Sequence, residues 1–121
     1  VPSGSLIMSI CATLGKPVQT AIDVCIHDGF VVFESPSFDL DFAYFYLLKI
    51  QRHWSRYGQP GIQLNLNSTI VAEEPIYLPV ISEQRKIAEF LTGVNDKITA
   101  VASQIDKAAE FKKGLLQKMF V

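Results

Sequence analysis

From Val80 to Val121 the chain contains no proline, and its apolar residues recur at alternating spacings of four and three. Counted from Ile87, the series visits Leu91, Val94, Ile98, Val101, Ile105, Ala108, Lys112, Leu115 and Met119, and Lys112 alone is polar. That alternation is the a/d seam of a coiled coil. Beside it Ala88, Ala102, Ala109 and Leu116 fall on a seven-residue period, with Asn95 in the intervening place, so the sticky face is wide and its alanines admit a closely approaching helix. Ser82 is the expected N-cap, and Glu83 suits the positive end of the helix dipole. A helix from Ser82 to Phe120 is about 58 Å long at 1.5 Å per residue. A domain of this size has no surface long enough to bury such a rod. Its far end requires another helix, in this chain or another, and this chain has no second one of that length. Gly93 is the weakest point, because glycine costs about 1 kcal/mol in a helix interior. Lys112 on the seam is tolerable near a rod's end, where its stem can snorkel, and Lys112, Lys113 and Lys118 complement the dipole.

Residues 1–79 have a different grammar, with short apolar runs broken by Gly, Pro and Asn. LIMSICA (6–12) reads as a buried strand, LGKP (14–17) as a turn, AIDVCI (21–26) as a half-buried strand and FVVFE (30–34) as another, the last two forming a hairpin or meander. Ser37 or Asp39 can cap a helix that DFAYFYLLKIQRHWSRY carries to Gly58, a natural stop. Its aromatic first half should pack on the sheet. GQPGIQLNLNST (58–69) reads as a polar loop, and IVAEEPIYLP (70–79) as an extended edge passage around Pro75.

With 121 residues, the chain is one domain or a small domain with an appendage. A net charge of −1 supplies no global attraction to nucleic acid or to a membrane surface, so any basic site must be local. The apolar runs fall far short of the ~20 residues that span a bilayer, and no secretory signal is evident. Cys11 and Cys25 lack CxxC spacing and read as buried reduced thiols of a cytosolic protein. Cys25, His27 and Asp28 invite comparison with a nucleophile and its base, but on a strand Asp28 points away from the other two.

One local concentration of donors stands out. At helical spacing Lys49, Arg52, His53 and Arg56 share a face, and that face leads into a loop holding Tyr57, Gln59, Gln63, Asn65 and Asn67. Cations meet phosphates, while amides and guanidinium groups read base edges. Arg52, Arg56, Gln59, Gln63 and Asn65 are candidates for a reading surface, with Lys49 and the turn residue Lys16 as phosphate contacts; the alternative is a solvated helix face, a merely polar loop and a plain exposed turn lysine.

LPVISEQRKIAEFL (78–91), the heptad helix and the ending EFKKGLLQKMF together resemble the specificity subunit of type I restriction–modification systems. Leu78, Pro79, Glu83, Gln84, Lys86, Ile87, Ala88 and Leu91 match the family's opening motif LPPLxEQxKIAxxL. Lys112, Lys113, Gly114, Leu115, Leu116, Gln117 and Phe120 match its closing motif YKKGLLQxLF. SGSLIMSICATLGK, FDLDFAYFYLL and QPGIQLNLN are similar to further family segments in register.

The resemblance implies an α/β (α+β) half target-recognition domain, residues 1–79, followed by one long coiled-coil-type helix, residues 80–121, the conserved spacer. It implies a non-catalytic, cytoplasmic subunit with no cofactor of its own, reading one part of a bipartite site in double-stranded DNA. Its partners would be a modification (methyltransferase) subunit, a restriction subunit, and a second spacer helix supplied by homodimerisation or by the rest of a full-length subunit. The helix–helix contact is expected at Ile87, Leu91, Val94, Ile98, Val101, Ile105, Leu115 and Met119. The length of residues 1–79, about half a complete recognition domain, suggests a fragment or a trimmed half-sized subunit. A rival reading is an interaction module that dimerises through its coiled coil without touching nucleic acid; the near-neutral charge favours it.

Overall fold

The computed structural model describes residues 1–34, 37–57 and 65–120. Its sheet is built on β1 (Leu6–Ser9), which lies between β2 (Pro17–Gln19) and β3 (Phe30–Val32) and runs antiparallel to both. The register sets Ile7 opposite Val18 on one side and Val32 on the other. A strand inside a sheet is covered more fully than its neighbours, which suits the unbroken apolar run Leu6, Ile7 and Met8, all buried.

Two strand expectations change here. Pro17, read as the close of a turn, opens β2, at a strand end where a missing N–H costs least. AIDVCI (21–26) forms no strand. β2 and β3 flank β1, and 21–26 pairs with the outer edge of neither; its backbone makes isolated bonds such as Val24 N–H to the Val1 carbonyl, 2.9 Å. Ile22 is consequently exposed.

Helix α1 (Leu40–Ile50) is capped by Asp39, whose carboxylate accepts from the Phe42 N–H at 2.9 Å. The chain then tightens into a 3₁₀ segment, Gln51–Tyr57. One helix was expected to run through to Gly58; the change of winding replaces its second half. The short helix α2 (Ser68–Glu73) stands where polar loop and extended chain were expected, because the Asn67 side chain accepts from the Ile70 N–H and starts a turn. Leu6, Met8, Ala43, Leu47, Trp54 and Leu66 form the core beneath these elements.

Helix α3 (Ile81–Met119) is one uninterrupted run of 39 residues, about 58 Å long. Gly93 does not break it. Ser82 lies inside the first turn rather than capping it: the Glu83 and Gln84 N–H groups both reach the Val80 carbonyl, each at 3.0 Å. Gln84 is buried, accepts from the Asp39 N–H at 2.9 Å and donates to the Pro79 carbonyl at 2.8 Å, joining the start of α3 to the cap of α1. Ala88, one turn on, is also buried. The chain divides into two compact units, Val1–Ala88 and Glu89–Val121. The first is an α+β domain that includes the opening turns of α3, and the second is helical. Among the described residues no helix is long and apolar enough to cross a membrane.

Candidate nucleic-acid interface

The candidate side chains are held around one buried residue, Trp54, which is 1% exposed. On one side the turn after β1 presses against its indole. Gly15 has φ +69°, and a β-carbon there would stand 2.1 Å from Trp54 Cδ1, so only glycine brings this turn so close. Gln51 adds a hydrogen bond from its Nε2 to the Leu14 carbonyl, 3.4 Å. The Ser9 hydroxyl pins the rest of the turn by accepting from the Lys16 N–H at 3.1 Å and donating to the Thr13 carbonyl. Lys16 follows Gly15 and is exposed. On another side Leu66, buried in the same cluster, donates its N–H to the Ile10 carbonyl at 2.8 Å, which fixes exposed Asn65 beside the end of β1. Lys49 is exposed in the last turn of α1. Gln59 and Gln63 lie outside the described residues.

The four-residue cationic face expected from α-helical spacing does not form as drawn. In 3₁₀ winding residues three apart eclipse one another. Trp54 therefore stacks over Gln51 and turns inward, and Arg52 aligns with Ser55 towards solvent. His53 and Arg56 form a separate row, directed at Glu74.

Glu74 had no place in the sequence argument, yet it organises this row. Its side chain is 6% exposed against 50% for Arg56. His53 Nε2 lies 2.5 Å from its Oε1, and Arg56 Nη2 donates to Oε1 at 3.1 Å and to Oε2 at 2.9 Å. The Tyr57 hydroxyl donates to Oε2 as well. The Arg56 guanidinium also sits 4.9 Å from the centre of the Tyr57 ring, within cation–π reach. Burial is the largest single influence on the Glu74 carboxyl and pushes its pKa up. The hydrogen bonds from Tyr57 and His53 and the charges of Arg56 and His53 together outweigh burial and hold the pKa below the usual carboxylate value. Arg56 moves the other way: its bond to Tyr57 is the largest cause, Glu74 reinforces it, and its pKa is raised. No sequence signal near Glu74 marks this role, because its partners lie 17 to 21 residues away.

The other polar cluster dissolves. Cys25, on the segment that forms no strand, is exposed, and Cys11, beyond the end of β1, is half-buried, so the expectation of two buried thiols fails. His27 Nδ1 accepts from the Gly29 N–H at 2.9 Å and its ring meets Phe30 edge-on, an arrangement that serves a turn. A cavity of about 270 Å³ beside α1 is lined by Phe42, Tyr46, Ile50, Trp54 and Val71 with Glu74, an apolar wall unsuited to phosphate.

The seam of α3 is open along much of its length. Ile98 and Ile105 are 61% and 63% exposed, and Ile87, Val94, Val101, Leu115 and Met119 are exposed as well; Leu91 is half-buried. These accessible isoleucines recur on a regular period along the helix.

The sequence pattern of the type I restriction modification DNA specificity domain matches residues 1–110. The chain belongs to that family. It is also 29% identical, over 83 aligned positions, to a protein of Methanocaldococcus jannaschii assigned as the type I restriction enzyme MjaX specificity subunit. The match covers 63% of this chain and 20% of that relative, so the chain spans about a fifth of the relative's length. Within this specificity-domain chain the EQ pair of the opening motif divides its work: Glu83 is exposed in the first turn of α3, while Gln84 is the buried link to Asp39.

Proposed function

We propose that this chain recognises DNA sequence as part of a type I restriction–modification specificity subunit. Residues 1–79 are part of a target recognition domain that reads one half of a bipartite double-stranded site, and residues 80–121 are the spacer helix. The family match over residues 1–110 carries this reading. Lys16, Lys49 and Arg52, all exposed, are the phosphate and base-edge candidates, together with Arg56, Asn65, Gln59 and Gln63. The role is non-catalytic: a modification subunit would methylate the DNA and a restriction subunit would cleave it, within a cytoplasmic assembly. Ile87, Leu91, Val94, Ile98, Val101, Ile105, Leu115 and Met119 would pack on a second spacer helix, from another copy or from the rest of a longer subunit.

The test belongs in an assembled methyltransferase complex containing this chain. Lys49→Ala should weaken binding to all duplexes alike and reduce the salt slope by about one, whereas Arg52→Ala at a base edge should cost about 1–3 kcal/mol and relax selectivity at one position. If neither changes affinity or site choice in an intact assembly, this face is only solvated surface. The second reading, a coiled-coil interaction module without DNA, draws on the net charge of −1 and on the pairing of Arg56 with Glu74. Association that persists unchanged from low to high salt, with no duplex binding at any salt, would favour it.

A further inference from the structure

We propose that Glu74 is a positioning residue for DNA readout: its sequestered carboxylate holds the Arg56 guanidinium by Nη2 and leaves the Nε–H and the Nη1 hydrogens, on separate edges of that group, for acceptors on the nucleic acid. This rests on the DNA-recognition reading above and goes beyond it by assigning a role to an acidic residue on a surface that must meet phosphate.

The geometry separates anchor from reader. The Glu74 side chain is 6% exposed and the Arg56 side chain 50% exposed, so the acidic partner is held within the domain while much of the arginine side chain faces water. Among the described residues the hydrogen bonds of Arg56 all leave from Nη2, to Glu74 Oε1, Glu74 Oε2 and the Tyr57 hydroxyl. A guanidinium has five N–H donors in a rigid plane, so among the described residues Nε–H on one edge and the Nη1 hydrogens on another stay available, each in a direction fixed by that plane. The Tyr57 ring, 4.9 Å from the guanidinium carbon, limits tilting of that plane. An unrestrained arginine loses its rotamer freedom on meeting a base; here much of that ordering precedes contact, which is how pre-organisation strengthens recognition. Electrostatics allow it too. A bare carboxylate would repel phosphate, but Glu74 is matched by the Arg56 charge and by hydrogen bonds from Tyr57 and His53. Eclipsing of His53 over Arg56 is what lets one carboxylate reach both.

The experiment uses the assembled methyltransferase containing this chain and duplexes carrying its own methylation site, single-base variants of that site, or random sequence. Arg56→Ala, Glu74→Gln, Glu74→Ala and the Arg56→Ala/Glu74→Ala double variant are compared, with thermal melting used to confirm that each assembly is folded. Glu74→Ala is expected to reduce affinity for the site about fivefold or more, to leave random-duplex affinity and its salt slope unchanged, and to relax selectivity at the same base as Arg56→Ala. In the double variant the Glu74 change should add nothing, since its effect runs through Arg56. Glu74→Gln should fall between, because its amide oxygen still accepts from Nη2. If Arg56→Ala is selective but the Glu74 variants are silent, or lower all duplexes equally, the positioning role is wrong and DNA reading by Arg56 stands. A rise in affinity for every duplex on Glu74→Gln also overturns it, since Glu74 would then be screening the cation. If Arg56→Ala changes nothing, the DNA reading of this face fails first.

Discussion

Replacing Gly15 with alanine tests the contact on which the placement of the Lys16 turn depends. Two costs add. Gly15 has φ +69°, a region that disfavours an L side chain by about 1–2 kcal/mol. The new methyl would also stand 2.1 Å from Trp54 Cδ1 and 2.7 Å from Nε1. Trp54 is 1% exposed and among the described residues its indole N–H has no acceptor, so the ring must move within packed surroundings. Overpacking of that kind costs about 1–3 kcal/mol. The smaller unfolded-state entropy of alanine returns about 0.4–1 kcal/mol, leaving a net loss of about 1–4.6 kcal/mol, centred at about 3. Gly4→Ala is the matched control: φ is +83° there too, but nothing lies within 4 Å of the added methyl. Urea unfolding followed by Trp54 fluorescence measures both, since the chain has one tryptophan. At an m-value of about 1–3 kcal/mol/M, Gly15→Ala should lower the midpoint by about 1 M or more, and Gly4→Ala by clearly less. Equal losses in the two variants would refute the packing argument, because only the shared backbone cost would then be at work.

Glu74 should leave a signature in the acid limb of stability. Its pKa is lowered in the folded state, so the unfolded chain binds more protons between the two values; the contribution is complete above the usual carboxylate pKa of about 4.3 and is lost as pH falls through the folded value. Urea midpoints from pH 6 to pH 3 should drop less steeply for Glu74→Gln than for the parent. Ile98→Asp, at a seam position 61% exposed, should abolish helix-mediated association, seen by sedimentation as a shift to monomer with helicity of the head retained; a well-folded monomer both before and after would deny the seam its role. Gly93→Ala meets nothing within 4 Å and lies inside α3, so it should stabilise that helix by about 1 kcal/mol, read as a higher midpoint in the circular dichroism of the helical signal.

Long-period features were legible in advance and short-range ones less so. The start of α3 near 81, its length, its unbroken passage through Gly93 and its exposed apolar stripe all follow from a repeat sustained over many turns. Asp39 was one of two legible caps for α1, and β1 and β3 were legible from their apolar runs. AIDVCI alternates as well as any strand, yet it pairs with neither outer edge of the three-stranded sheet, and alternation alone does not say which edge a segment will join. The motif residues fared differently again: Gln84 was visible as a match, while its burial and its bond to Asp39 were not.

What the chain alone determined, then, is the division into a short-period head and a long heptad helix, together with the family to which it belongs, because both are written in spacings that no distant contact can alter. Tertiary structure decided the site. A run of seven residues after Ile50 could wind at 100° or at 120° per residue, and packing of Trp54 against Gly15 and the core accompanies the tighter turn. That choice moved Arg52 to solvent and turned His53 and Arg56 towards Glu74. A difference of 20° per residue costs little locally, so local sequence does not resolve it, and a carboxylate 18 residues from Arg56 along the chain enters the site only after the fold has brought it there.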